Sequence, residues 1–282
     1  MIKIKPTLLC LLIAVFISGC SFRFVYNHLD WWTNWYLDDY VTLNEQQQQR
    51  FDDEFEQLHL WHRTTQLPAY VHQLNGLKIA INNEINEQDI ADNFGQFIEH
   101  WQNFLVATEP KLQPLVVSLS AEQTQQLLKA LQEAHQERLD DDEALSEQDW
   151  LEERTDKQKE QLKDWFGKLT PEQKSQVTLL GADFQRSFEP RMLYRQQWTQ
   201  QFADLLNGNL PAEQFQLKFY RLFVNGRSLR DETLDAITSN NNQVFANIFV
   251  YMVTTATDKQ RKRINKKIDK ILGDLEYLIN DD

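Results

Sequence analysis

Residues 257–278 read TDKQRKRINKKIDKILGDLEYL. Thr257 opens the run as a helix N-cap: a hydroxyl there accepts from a backbone N–H, and the amide of Gln260, three residues on, reaches back to the cap. Behind the cap, Ile264, Ile268, Ile271, Leu275 and Leu278 recur at steps of three and four, which places them along one side of an α-helix. The other side carries Lys259, Arg261, Lys262, Arg263, Lys266, Lys267 and Lys270. The stretch is an amphipathic helix with a basic start.

The same pattern recurs upstream. Thr42 with Glu45, Ser120 with Gln123, Ser146 with Asp149, and Thr170 with Gln173 pair a hydroxyl cap with a carboxyl or amide three residues later. Pro171 follows Thr170 at a first helical position, where a missing N–H costs nothing. Pro68, Pro110 and Pro211 read as helix starts in the same way. Leu127, Leu128, Leu131, His135 and Leu139 line one helix, and Leu151, Leu162, Trp165, Phe166 and Leu169 the next. A long segment runs from Pro171 to Leu206, where Pro190 predicts a kink or break, and Asn207-Gly208 ends it. Helices over 210–224, 231–254 and 258–278 complete the chain. The cap spacings of Ser120, Ser146 and Thr170 predict two helices of roughly 35–40 Å, forming either a hairpin or a bent rod.

Composition agrees with that reading. The 282 residues include only eight Gly and seven Pro, with eight Trp and seventeen Phe, which suits packed helices rather than disorder. The expected fold class is all-α, an elongated multi-helix bundle or a bent helical cradle. The net charge of −13 repels nucleic acid over the domain as a whole, so no nucleic-acid partner is expected.

The amino terminus carries Lys3 and Lys5, an apolar stretch from Leu8 to Ile17, and then Ser18, Gly19 and Cys20. This order is that of a secretory signal. The uncharged stretch from Pro6 to Phe22 holds about a dozen strongly apolar residues, short of the roughly 20 that a spanning helix needs. The Ile17-Ser18-Gly19-Cys20 run resembles the lipobox of bacterial lipoproteins. The resemblance implies a signal peptide over 1–19, cleavage before Cys20 and acylation of that cysteine. A single helical periplasmic domain over 20–282 would then be tethered to a membrane through acylated Cys20. Ser21, where some members have Asp, implies delivery to the outer membrane. The other cysteine, Cys10, lies within the signal, so the mature chain would have no disulfide.

Two further resemblances are local. Leu119-Ser-Ala-Glu-Gln123 and Leu169-Thr-Pro-Glu-Gln173 resemble the Leu-Thr-x-x-Gln signature of small helical periplasmic chaperones, which implies a concave face for unfolded clients. The same residues also make good helix starts. Tyr26-Asn-His-Leu-Asp-Trp31, followed by Trp32, Trp35, Tyr36 and Tyr40, is similar to the opening of an uncharacterised lipoprotein family of Gram-negative bacteria. That resemblance implies localisation and no activity.

The aromatic segment has two readings. Leu29, Trp31 and Trp35 stand at helical spacing and so read as packing on the core; alternatively, Trp31, Trp32, Trp35 and Tyr36 form a contact surface for a membrane interface or a partner protein. The cations Lys259, Arg261, Lys262, Arg263, Lys266 and Lys267 sit where the helix macrodipole disfavours them. They either pair with the acidic run over 137–156 or meet anionic lipid or an acidic partner. Glu56, His59 and His62 share a helix face but fall short of a zinc set, so no metal or cofactor is expected. No nucleophile elbow, phosphate loop or His-Glu-x-x-His occurs. The expected function is non-enzymatic protein binding with chaperone-like character. A structural spacer, or an enzyme or metal protein whose site assembles from distant residues, stands as the alternative.

Overall fold

A computed structural model describes residues 19–142 and 145–281. Residues 1–18 of the expected signal segment lie outside the described residues, as do the side chains of Cys20 and Ser21. Among the described residues the chain is helical throughout and has no strand. The helices are α1 (Gly19–Asn27), α2 (Leu29–Asp38), α3 (Glu45–Trp61), α4 (Leu67–Asn82), α5 (Glu87–Val117), α6 (Ala121–Asp142), α7 (Glu147–Phe166), α8 (Pro171–Gly181), α9 (Phe188–Asn207), α10 (Ala212–Phe223), α11 (Glu232–Thr254) and α12 (Asp258–Asn280). A π-turn (His62–Gln66) joins α3 to α4, and a 3₁₀ turn (Gly226–Leu229) follows α10. The all-α, multi-helix class holds.

Capping sets most of these boundaries. Thr170 and Thr257 each form a reciprocal box with the glutamine three residues on. Ser120 and Gln123 exchange the same two bonds, and Ser146 accepts from the Asp149 N–H. The first expected cap is displaced: Asn44, rather than Thr42, caps α3, with Gln47 closing the box. Asparagine is at least as good a cap as threonine, and here it has the better partner. Asn86 with Asp89 and Asp231 supply two caps absent from the sequence reading.

The closing glutamines also hold helices to one another. Gln47 and Gln123 exchange amide hydrogen bonds of 3.0 and 2.7 Å, and their Nε2 groups also donate to the carbonyls of Ser118 and Thr42. Gln173 and Gln260 exchange bonds of 3.1 and 2.8 Å and donate to the carbonyls of Thr255 and Lys168. Each pair locks two helix N-termini together, α3 with α6 and α8 with α12. The Leu-Ser/Thr-x-Glu-Gln segments therefore act as clasps within this fold.

Pro171 opens α8 and Pro211 directly precedes α10, as expected, whereas the other prolines depart from expectation. Pro110 and Pro114 lie inside α5, and neither starts a helix. Pro68 is the second residue of α4, directly after the π-turn, within a helical run that continues from α3. Its missing N–H removes a bond at the end of the turn, and within the turn the hydroxyls of Thr64 and Thr65 donate to the carbonyls of Leu60 and Trp61. Pro190 falls in the first turn of α9, where it does no harm. The break in the long segment comes earlier, after Gly181. Asn240 and Asn241 of α11 hold the intervening backbone through Asp183 and Gln185. α6 packs on α9, whereas α7 packs on α8 and α12, so the two do not close as a hairpin.

Three buried clusters hold the helices. The largest contains Phe166, Val177, Ile248, Met252, Ile264 and Ile268. A second joins Val116, Phe202, Leu205, Phe219 and Leu222. The third sets Tyr26 of α1 and Leu67 of α4 against Leu275 and Leu278 of α12. α12 contributes to the first and third clusters. α5, with 31 residues, spans about 46 Å and contributes Ile90 to the first and Val116 to the second. The middle of α5 thus crosses a gap between two packed centres.

Candidate functional site

The widened turn at His62–Gln66 places His62 between two tyrosines. Its Nδ1 lies 3.0 Å from the Tyr26 hydroxyl and its Nε2 3.2 Å from that of Tyr70. A neutral imidazole has one donor and one acceptor nitrogen, so one hydroxyl donates and the other accepts. Burial, with a smaller contribution from His59, lowers the His62 pKa to about 4. Burial likewise pushes Tyr26 up to about 12, against the opposing pull of Arg63, and raises Tyr70. The line is uncharged. It extends through the Tyr70 ring, edge-on to His100 at 4.8 Å, and from His100 Nε2, which donates to Gln73 Oε1 at 3.0 Å. Gln73 in turn donates to the Asn93 carbonyl.

Over this line opens a groove of about 470 Å³, walled by α4, α5 and α12. Leu74, Leu77, Ile271 and Leu275 form one wall, and Phe97, Trp101 and Phe104 of α5 the other. Phe97 is 64% exposed and Trp101 52%. They stand where α5 crosses between its two clusters, so no helix covers them. A mostly apolar concavity with a few fixed polar groups has the character of a binding site. Gln73, Asn93 and His100 bring polar groups to this lining.

α1 ties this site to the amino terminus. Arg23 pairs with Asp274 at 2.7 Å, and Arg63 donates to Asn27 Oδ1 and to the Asp281 carbonyl. By the helical rise, Tyr26 lies roughly 9 Å along α1 from Cys20.

The core reading of the aromatic segment holds for Leu29, which packs against the third cluster, and fails for Trp31 and Trp35. α2 has no buried residue; Trp31 is 58% exposed and Tyr36 50%. The segment is short and follows a break at His28, and its rings meet edge-on, Trp31 with Trp32 at 4.8 Å and Trp32 with Trp35 at 6.2 Å.

The basic helix is divided. Arg261 donates to the carbonyls of Ile81 and Val253, in the last turns of α4 and α11. Arg263 donates to the carbonyl of Asp164 in the last turn of α7, and Lys267 pairs with the Asp164 carboxylate at 2.5 Å. Cations at the start of α12 are thus offset by the C-terminal ends of three other helices, whose dipoles favour them. Their partner is Asp164, outside the acidic run over 137–156. Lys259, Lys262 and Lys266 are exposed. Glu56 is also exposed, and both ring nitrogens of His62 are engaged with tyrosines. Among the described residues no three His, Cys, Asp or Glu side chains converge on a metal position.

Phe97, His100 and Trp101 were not singled out in the sequence, where an apolar stripe at helical spacing reads as core. The neutral state of His62 has a measurable consequence. A histidine in the unfolded chain protonates near 6.5, and His62 in the fold only near 4. Between these values the unfolded state binds more protons, so stability falls as pH drops through that window. Tyr26, Tyr70, His59 and Arg63 face the ring, with no carboxylate among them. Lowering the pH from 7 to 5 is expected to cost about 2 kcal/mol through this residue. Urea midpoints at the two pH values measure it. His62→Gln should reduce the pH dependence by that amount; an unchanged dependence contradicts the assignment.

The model of a family of unknown function (DUF6279) matches residues 39–235. No curated protein and no solved structure matches the chain.

Proposed function

We infer that this chain, which belongs to the DUF6279 family, is a non-enzymatic binding protein that holds apolar segments of other polypeptides in the groove beside α5. In this reading acylated Cys20 tethers it to the periplasmic face of the outer membrane, and the exposed Trp31, Trp35 and Tyr36, with the half-buried Trp32, lie at the membrane interface or extend the contact surface.

The carrying observation is the open groove itself, with Phe97 and Trp101 more than half exposed over a floor of neutral, internally bonded side chains. Exposed apolar surface of this kind marks interaction sites. A polypeptide fits better than a fatty chain, because the lining sets the polar side chains of Gln73, Asn93 and His100 beside the exposed rings, and a hydrocarbon would leave those polar groups without partners. The chaperone-like character expected from Gln123 and Gln173 is attached here to the groove, since those glutamines serve the clasps.

The test uses the full chain and a reduced, alkylated test protein that aggregates on dilution. The wild-type chain is expected to slow its light scattering at near-equimolar ratio. Phe97→Ser with Trp101→Ser should lose at least tenfold in effective concentration while keeping the wild-type unfolding midpoint within about 0.5 kcal/mol, as exposed positions do. Scattering unaffected by the wild type, or equally suppressed by the double variant, contradicts the proposal.

A further inference from the structure

On α6, α9 and the segment after α10 this acidic chain gathers four arginines. Arg191 and Arg195 stand four apart on α9, on one face of that helix. Arg138 comes from α6, which packs against α9. Arg230, just after the 3₁₀ turn, lies 5.6 Å over the ring of Tyr194 on the same helix. Arg138 and Arg230 both depress the proton affinity of Arg191, as Arg138 does that of Arg195, in each case after burial as the larger cause.

Their polar atoms are incompletely satisfied. The Nε groups of Arg138, Arg195 and Arg230 are buried without a hydrogen-bond partner. Arg191 bonds only a hydroxyl, that of Ser187 at 3.1 Å. Among the described residues, the carboxylate against this group is Asp235, 3.9 Å from Arg230 and more than half exposed. Tyr36 and Tyr40, whose hydroxyls meet at 2.9 Å, lie near Arg195. Burial raises Tyr40, so it stays a neutral phenol and supplies no counter-charge. His135 beside them has a buried, unpartnered Nδ1, and burial together with Arg195 and Arg138 lowers its pKa.

Like charges gathered in a partly desolvated place, with one distant carboxylate against them among the described residues, are costly unless something compensates. We propose that Arg138, Arg191, Arg195 and Arg230, with the Tyr36–Tyr40 hydroxyl pair, form a binding site for a multivalent phosphate group. The guanidinium fork matches such an oxyanion in bidentate fashion. Four cations exceed what a single carboxylate would neutralise and suit a phosphomonoester or diphosphate. The four arginines lie within the residues the family model matches. This site is separate from the groove and does not depend on the reading given to it.

The test is calorimetric titration of the full chain with pyrophosphate, inorganic phosphate and citrate, with a parallel arm of phosphatidylcholine vesicles with and without phosphatidic acid, a lipid phosphomonoester. Pyrophosphate is expected to bind and to raise the unfolding temperature. Arg195→Gln and Arg138→Gln should each weaken binding at least tenfold. With no anion present, the same variants should unfold no earlier than wild type, because they relieve repulsion. Binding of free pyrophosphate assigns a soluble phosphate ligand, and binding only to phosphatidic acid vesicles, lost in Arg195→Gln, assigns a headgroup; both support the site. The proposal is overturned if neither source binds, if binding persists in both variants, if citrate binds as tightly as pyrophosphate, or if the variants lose stability without affecting any anion.

Discussion

Replacing Gln173 with leucine is expected to destabilise the fold by about 2–4 kcal/mol, among the largest effects of any single polar substitution here. Gln173 is 1% exposed and has three tasks. Its Oε1 accepts from the Thr170 N–H to close the cap of α8 and also accepts from Gln260, while its Nε2 donates to Gln260 and to the Thr255 carbonyl. A leucine of similar volume fills the space but takes one partner from each end of the buried Gln260 amide and leaves the Thr170 N–H and the Thr255 carbonyl without their side-chain partners, and that loss dominates the cost. Replacing both glutamines by leucine should cost less than the two single changes added together, because each single change takes partners from the other amide. Urea unfolding of the two single variants and the double one measures this coupling. Additive losses would show that the amides act independently and that there is no clasp.

Removing the guanidinium of Arg261 is the second large effect. Arg261→Ala leaves the carbonyls of Ile81 and Val253 without their bonds of 2.7 and 3.1 Å and withdraws a cation from the C-terminal ends of α4 and α11. The expected loss is about 2–4 kcal/mol. Arg261→Lys should recover only part of it, since an ammonium lacks the planar fork that reaches two carbonyls at once. Lys262→Ala, one residue away on the exposed side, should shift the urea midpoint by no more than about 0.5 kcal/mol. Equal effects at 261 and 262 would mean that the basic turn is a solvated face throughout.

How much the sequence reveals depends on how local the deciding interaction is. The caps at Ser120, Ser146, Thr170 and Thr257 were legible because donor and acceptor stand three residues apart. The displacement from Thr42 to Asn44 shows the limit of that rule, where two acceptable caps are neighbours. The π-turn was hidden because a proline after a break and a proline after a widened turn leave the same trace. The division of the basic helix was hidden too: Arg261 and Arg263 find their carbonyls 180 and 99 residues away along the chain. The candidate sites were the least legible. Phe97 and Trp101 repeat at the spacing of a core stripe, and Trp31 and Trp35 do the same; only tertiary packing leaves both sets exposed. The clustered arginines carry no local signature, since they come from α6, α9 and the segment after α10.

The groove beside α5 is the centre of this account, and crosslinking from within it tests it most directly. A photoreactive residue at position 101 of the full chain, activated in intact cells, is expected to give discrete adducts with other polypeptides. The same residue at exposed position 129 on α6 should give few or none. Adducts of equal yield from both positions, or only lipid attached at 101, would contradict the assignment of the groove as a polypeptide-binding site.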